Sequence, residues 1–227
     1  MTRTVPVYLE VGARRVFAGA LDWPGWCRSG RDEESAVGAL VEYAPRYARG
    51  VKRAAGGFTA PKDPSALRVM ERLKGNATTD FGAPGIAPAS DGRPLGEAEL
   101  RRLVALLKAC WRAFDRVAEA ASAKTLRKGP RGGGRDLDAI VSHVLEADVA
   151  YLRGLGARHL RPEAKGGPGE MSTLRREFVD ALGARARGDP LPEGRRSKTV
   201  WSPRYGVRRS AWHSLDHAWE IEDRAIG

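Results

Sequence analysis

No stretch of this 227-residue chain approaches the roughly 20 uninterrupted apolar residues that a membrane-spanning helix needs. The N-terminus opens almost directly on VPVYLEV instead of a basic-then-apolar leader, so the expected location is the cytoplasm and no membrane partner is expected. Cysteine is scarce. Cys27 and Cys110 lie far apart without CxxC spacing, which argues against a disulfide framework or a thiolate zinc site. Each stands beside a tryptophan (Trp26, Trp111) and reads as a small buried hydrophobe. Several catalytic signatures are also missing. No Gly-Lys-Ser/Thr follows the one glycine triplet, so there is no Walker loop; Ser214 stands where an HExxH protease has its glutamate; and the ExxH spacing of dimetal carboxylate bundles does not occur.

With 42% hydrophobic residues the chain can bury a core without staples. A formal charge of +11 draws any polyanion by counterion release, and weak nucleic-acid binding through the basic surface is one expectation. Arginine is spread through nearly every segment, so the charge by itself names no partner.

Val5, Val7, Leu9 and Val11 alternate with Pro6, Tyr8 and Glu10, the period-two pattern of a strand with one buried face. Gly12 offers a turn, residues 15–21 form a second short apolar run, and Pro24-Gly25 reverses the chain again. The period then changes: Ala36, Val37, Leu40, Val41, Ala44, Tyr47, Ala48 and Val51 share one helical stripe. Ser29 with Asp32 fits a capping box, and Asp32, Glu33 and Glu34 place negative charge on the first turn. The unit is β-β-(β)-α. On Pro24, Gly25, Cys27, Gly30, Glu33, Glu34 and Ala36 it resembles the small HicB-like domain, which implies an antiparallel sheet with one helix over residues 1–55.

Residues 56–95 are rich in glycine and proline around one short element, ALRVMERLK, and read as a linker or a loop folded over a site. Beyond it, residues 96–227 carry four helical patterns. Leu100, Leu103, Val104, Leu107, Trp111, Phe114, Val117 and Ala121 mark the first, and the second runs from Asp136 to about Leu155. Met171, Leu174, Phe178 and Leu182 mark the third, and the fourth spans about Arg208 to Ala225. The fold class expected is therefore α+β, a small antiparallel sheet with a helix followed by an up-down four-helix bundle, whose sites form from inward side chains.

His213 and His217 are four apart on the last helix and His143 lies on the second. Three imidazoles on one divalent ion leave an open coordination position, the catalytic arrangement. Spacing leaves another reading: His213, His217, Glu220 and Arg224 form a polar stripe that could face solvent. Glu146 and Glu220, each three residues after a histidine, are candidates for acid-base work or for orienting a ligand. The segments HVLEADVAYLRGLG and AWHSLDHAWEIEDR, with one histidine on the second helix and HxxxH on the fourth, resemble the DinB-like superfamily, which includes mycothiol- and bacillithiol-dependent transferases. The resemblance implies that His143, His213 and His217 are metal ligands for zinc, nickel or iron. It also implies a low-molecular-weight thiol as co-substrate and thiol S-transfer or hydrolysis on a small electrophilic molecule.

The run RKGPRGGGRD (127–136) places Arg131, Gly132, Gly133, Gly134 and Arg135 ahead of a helix N-terminus, where exposed amides and positive charge favour an anion such as a substrate carboxylate or phosphate. His159 reads as structural; Trp201, Pro203 and Tyr205 precede the last helix and could wall a pocket. A homodimer is a further expectation. The alternative function is a non-catalytic nucleic-acid- or protein-binding module of HicB-antitoxin type, in which the histidines are incidental.

Overall fold

The computed structural model describes residues 4–52, 54, 57–128, 134–159, 169–191 and 200–226. Strands β1 (Val5–Val11) and β2 (Val16–Ala20) form the expected hairpin, with Val7 opposite Ala20 and Val11 opposite Val16. Gly25, at φ 93°, makes the next reversal in a conformation that glycine adopts without strain, and β3 (Cys27–Gly30) pairs antiparallel with β2. Helix α1 (Glu33–Glu42) opens on a capping box, but the box is Asp32 with Ser35, since Ser29 lies in β3. The single stripe expected to Val51 is two helices. Pro45 lacks the amide that would continue α1, so the chain restarts as α2 (Ala44–Val51).

The ALRVMERLK segment becomes β4 (Leu67–Lys74), which pairs with β1 in parallel, giving the order β3-β2-β1-β4. The sheet is therefore mixed, not antiparallel as expected. The passage through α1 and α2 returns the chain to the start of β1's free edge, the crossover a parallel pair requires. Opposite the Val7/Tyr8 step β4 carries one extra residue, Met70, half exposed, while Arg68, Arg72 and Lys74 guard the outer edge.

Both faces of β1 are buried, where alternation had suggested one. Val7 and Leu9 pack toward Ala36 and Leu40 of α1. Tyr8 and Glu10 turn the other way. There Arg208 lies over the Tyr8 ring, Trp212 meets Phe17 edge-on, and Glu10 accepts hydrogen bonds from Thr79 Oγ1 (2.5 Å), Gly85 N (2.8 Å) and Ile86 N (3.1 Å). Thr79 belongs to the short helix α3 (Ala77–Phe81), capped by Asn76. A buried carboxylate satisfied this fully pins the Gly/Pro-rich segment after α3 to the sheet.

The four long helices follow: α4 (Glu97–Ala120), α5 (Leu137–Gly154), α6 (Glu170–Arg187) and α7 (Pro203–Arg224). Helix α7 starts five residues earlier than its apolar pattern suggests, because Ser202 caps it and Pro203 occupies its first turn. Pro203 and Tyr205 thus belong to the helix, and Trp201 packs on Gly154 and Tyr151. Helices α4 and α5 each lie against α7 and α6 but scarcely approach each other. An up-down order would set α4 beside α5; α7 takes that place instead, and connections of about fifteen residues on either side of α5 permit it. A two-stranded ribbon, β5 (Thr125–Leu126) with β6 (Ala225–Ile226), ties the end of α7 to the segment before α5.

Helix α7 is the hub. One buried cluster runs from Val7 and Trp26 through Leu106 and Leu152 to Leu215 and Trp219, so the N-terminal sheet and the helices share a core. Arg208 sits inside it, forked onto Asp91 at 2.7 and 2.8 Å and onto the carbonyls of Ala20 and Leu21. This ion pair outweighs burial and keeps the guanidinium's pKa raised. The cysteines are free and buried; burial pushes both thiols up to about 12. Among the described residues no helix is long and apolar enough to cross a membrane.

Candidate metal centre

His213 and His217 stand one turn apart on the face of α7 that meets α5, and both are less than a tenth exposed. That burial removes the solvent-facing reading of their stripe. His143, from the second turn of α5, reaches across to them, half-buried. The helix that carries it is fixed at its start by Asp136, whose carboxylate accepts from Ala139 N at 2.8 Å.

The three rings converge through the same atom. His213 Nε2 lies 3.2 Å from His143 Nε2 and 3.2 Å from His217 Nε2, with the ligand atoms all within 4.8 Å of one another. Two nitrogens bound tetrahedrally to one ion at about 2.0–2.1 Å would stand roughly 3.3 Å apart. His217 Nδ1 lies 2.8 Å from Glu220 Oε2, and a carboxylate can only accept, so this nitrogen carries a proton and, in the neutral ring, Nε2 presents a lone pair to the cluster. Among the described residues His213 Nδ1 is buried without a partner. Three nitrogens crowded together, one of them fixed as an acceptor by its own hydrogen bond, make a donor set suited to a divalent cation.

The electrostatics favour neutral, metal-binding rings at His213 and His143. Burial pushes His213 well below its usual value, and the neighbouring His217, His143, Arg209 and Arg135 act in the same direction. Burial, then Arg135 and His217, lower His143, against the opposing pull of Glu146 and Glu220. Glu220 is held below the usual carboxylate range by its hydrogen bond with His217 and by Arg224, whose Nη1 donates to Oε1 at 2.5 Å. Arg224 also donates to the carbonyls of Arg127 (2.9 Å) and Arg135 (2.7 Å), so Glu220 links a ligand to the backbone ahead of α5. Gly134 accommodates this link. Its φ is 132°, and a Cβ there would stand 2.7 Å from Arg224 Nη2.

Of the other expected site residues, Glu146 is exposed and makes no described hydrogen bond to the cluster, although its charge reaches His143. Arg131, Gly132 and Gly133 of the anion loop lie outside the described residues; Gly134 and Arg135 lie beside the centre, as above. His159, read as structural from the sequence, lies after α5 with its Nδ1 2.6 Å from Glu177 Oε2 of α6. Sequence reasoning passed over Arg209 and Tyr151. Arg209 is one turn before His213 and Tyr151 two turns after His143, so helical spacing from the histidines would have found both. The Tyr151 ring lies 5.8 Å from that of His213, and its hydroxyl accepts from Arg209 Nη2 at 3.2 Å.

No protein-family model, curated protein or solved structure matches the chain.

Proposed function

We propose that the protein holds one divalent metal ion on His143, His213 and His217 and acts through the ion's remaining position on a small electrophilic molecule, by thiol transfer or hydrolysis. The observation that carries the reading is the convergence of three Nε2 atoms from two facing helices, with His217 oriented by Glu220. The DinB-like resemblance, resting on the same three histidines, supports the choice of chemistry. All-imidazole ligation suits zinc, nickel or iron. Bound there, such an ion supplies Lewis acidity and lowers the pKa of a thiol or water. The chain's own part is to keep the His143 and His213 rings neutral by burial, to hold a proton on His217 Nδ1 through Glu220, and to offer Glu146 at the exposed side of His143 as the group that exchanges a proton with solvent.

Elemental mass spectrometry of the untagged protein, before and after reconstitution, tests the reading beside His213→Ala and His217→Ala. About one metal per chain, lost in both variants, is expected. Absence of uptake after reconstitution refutes it.

A further inference from the structure

Among the described residues Arg209 is a buried cation without an anion. It is 8% exposed, yet its partners are neutral: Nη1 donates to the Pro84 carbonyl, Nη2 to the Tyr151 hydroxyl, and Nε is buried without a partner. The rings of Tyr151 and Trp212 each lie 5.2 Å from its guanidinium carbon. Glu10 binds the same Pro84–Ile86 segment, but its oxygens are taken by Thr79, Gly85 and Ile86, and it forms no ion pair with Arg209. Elsewhere on this helix the buried arginine, Arg208, has its carboxylate in Asp91. An uncompensated buried guanidinium is costly, and this one sits a single turn from His213.

The surroundings deepen the imbalance. None of the three ligands is an anion, and Arg135 adds a further positive charge that bears on both His143 and His213. Glu220, the carboxylate in contact with the ligand set, is itself neutralised by Arg224. A divalent ion would bring two more positive charges to a place already rich in them.

We infer that the open position of the metal centre is an oxyanion site, taking a small molecule with a carboxylate or phosphate group that Arg209, assisted by Arg135, recognises. This rests on the metal reading above and assigns its substrate class. A guanidinium fork matches such oxygens, and the charge-assisted bonds it makes are about twice as strong as neutral ones.

The test uses full-length protein loaded with Co²⁺, with metal content measured first, and follows the visible spectrum during titration with acetate, inorganic phosphate and acetamide. Acetate or phosphate is expected to change the spectrum saturably, the tighter of the two assigning the source, while uncharged acetamide does not. Arg209→Gln, with cobalt content retained, is expected to weaken the anion about 10-fold or more, the worth of a charge-assisted bond. Arg135→Gln, at an exposed position, is expected to weaken it by about threefold and keeps the test decisive should Arg209→Gln fail to fold. Cobalt binding with equal anion affinity in wild type and variants, or with acetamide as good a ligand as acetate, overturns the inference and spares the metal reading. Failure to bind cobalt overturns both.

Discussion

Asp148 offers a quantitative check on the core that supports the centre. It lies on α5 against α7, 1% exposed, with Oδ1 accepting from Ser210 Oγ at 2.7 Å and Oδ2 buried without a partner. Ser210 in turn accepts from Trp111 Nε1 at 2.9 Å, so its hydroxyl proton is committed to Asp148. One hydrogen bond does not replace a carboxylate's hydration. Burial raises this acid from 3.8 to about 7, against the lowering by Ser210 and Arg175. A raised acid favours its neutral form in the folded state. Its contribution to stability is therefore whole below 3.8, falls as pH rises, and is gone above about 7. At about 1.36 kcal/mol per pKa unit, the ceiling is about 4 kcal/mol. Asp148→Asn keeps the shape and the acceptor for Ser210 without the charge. It should match wild type near pH 4 and exceed it by about 1–4 kcal/mol at pH 8. Urea denaturation of metal-free protein at half-unit steps of pH measures this, and the difference between the two proteins cancels the titration of the histidines. Parallel profiles for wild type and Asp148→Asn would refute the argument.

Glu220→Gln replaces the acceptor of the His217 Nδ1 proton by a neutral amide; loss of such an orienting partner typically costs about 10- to 100-fold in metal affinity, read by chelator competition. An unchanged affinity would show that the His217 ring is oriented by packing alone. Arg208→Met strands Asp91 as a buried charge between sheet and helix and should cost about 3–5 kcal/mol in urea denaturation. Removing both partners, with Asp91→Asn added, should recover part of that loss, and absence of recovery would mean that the arginine acts through packing on Tyr8.

The helices were legible because their apolar stripes are long; α4 alone holds its spacing over 24 residues. His213 and His217 could be placed on one helical face by their spacing of four, but spacing left that face open to solvent, and His143 joined them as a ligand only through the DinB-like resemblance. What the sequence concealed lies in long-range pairing. Nothing local marks ALRVMERLK as a partner of β1, since its exposed Arg68, Arg72 and Lys74 alternate with apolar residues on any edge. Nor does Glu10, polar in an alternating strand, announce that it is fully buried; that depends on Thr79, Gly85 and Ile86 arriving some 70 residues later. The start of α7 was missed because Ser202 and Pro203 are end signals, not apolar ones. Arg209 was missed because an arginine in a chain with 39 basic residues carries no signal until its surroundings are seen.

Helix α7 is clamped by the sheet on one side and by α4, α5 and α6 around the rest. Two of the three imidazoles are thus mounted on a helix buried along most of its length, and their spacing is settled when the chain folds. The ordering entropy of assembling them has then already been spent on folding, so it does not weaken the capture of an ion. The third, His143 on α5, is the least enclosed of the three. On the proposed metal reading, such a centre would exchange its ion through His143 and set its coordination geometry through His213 and His217.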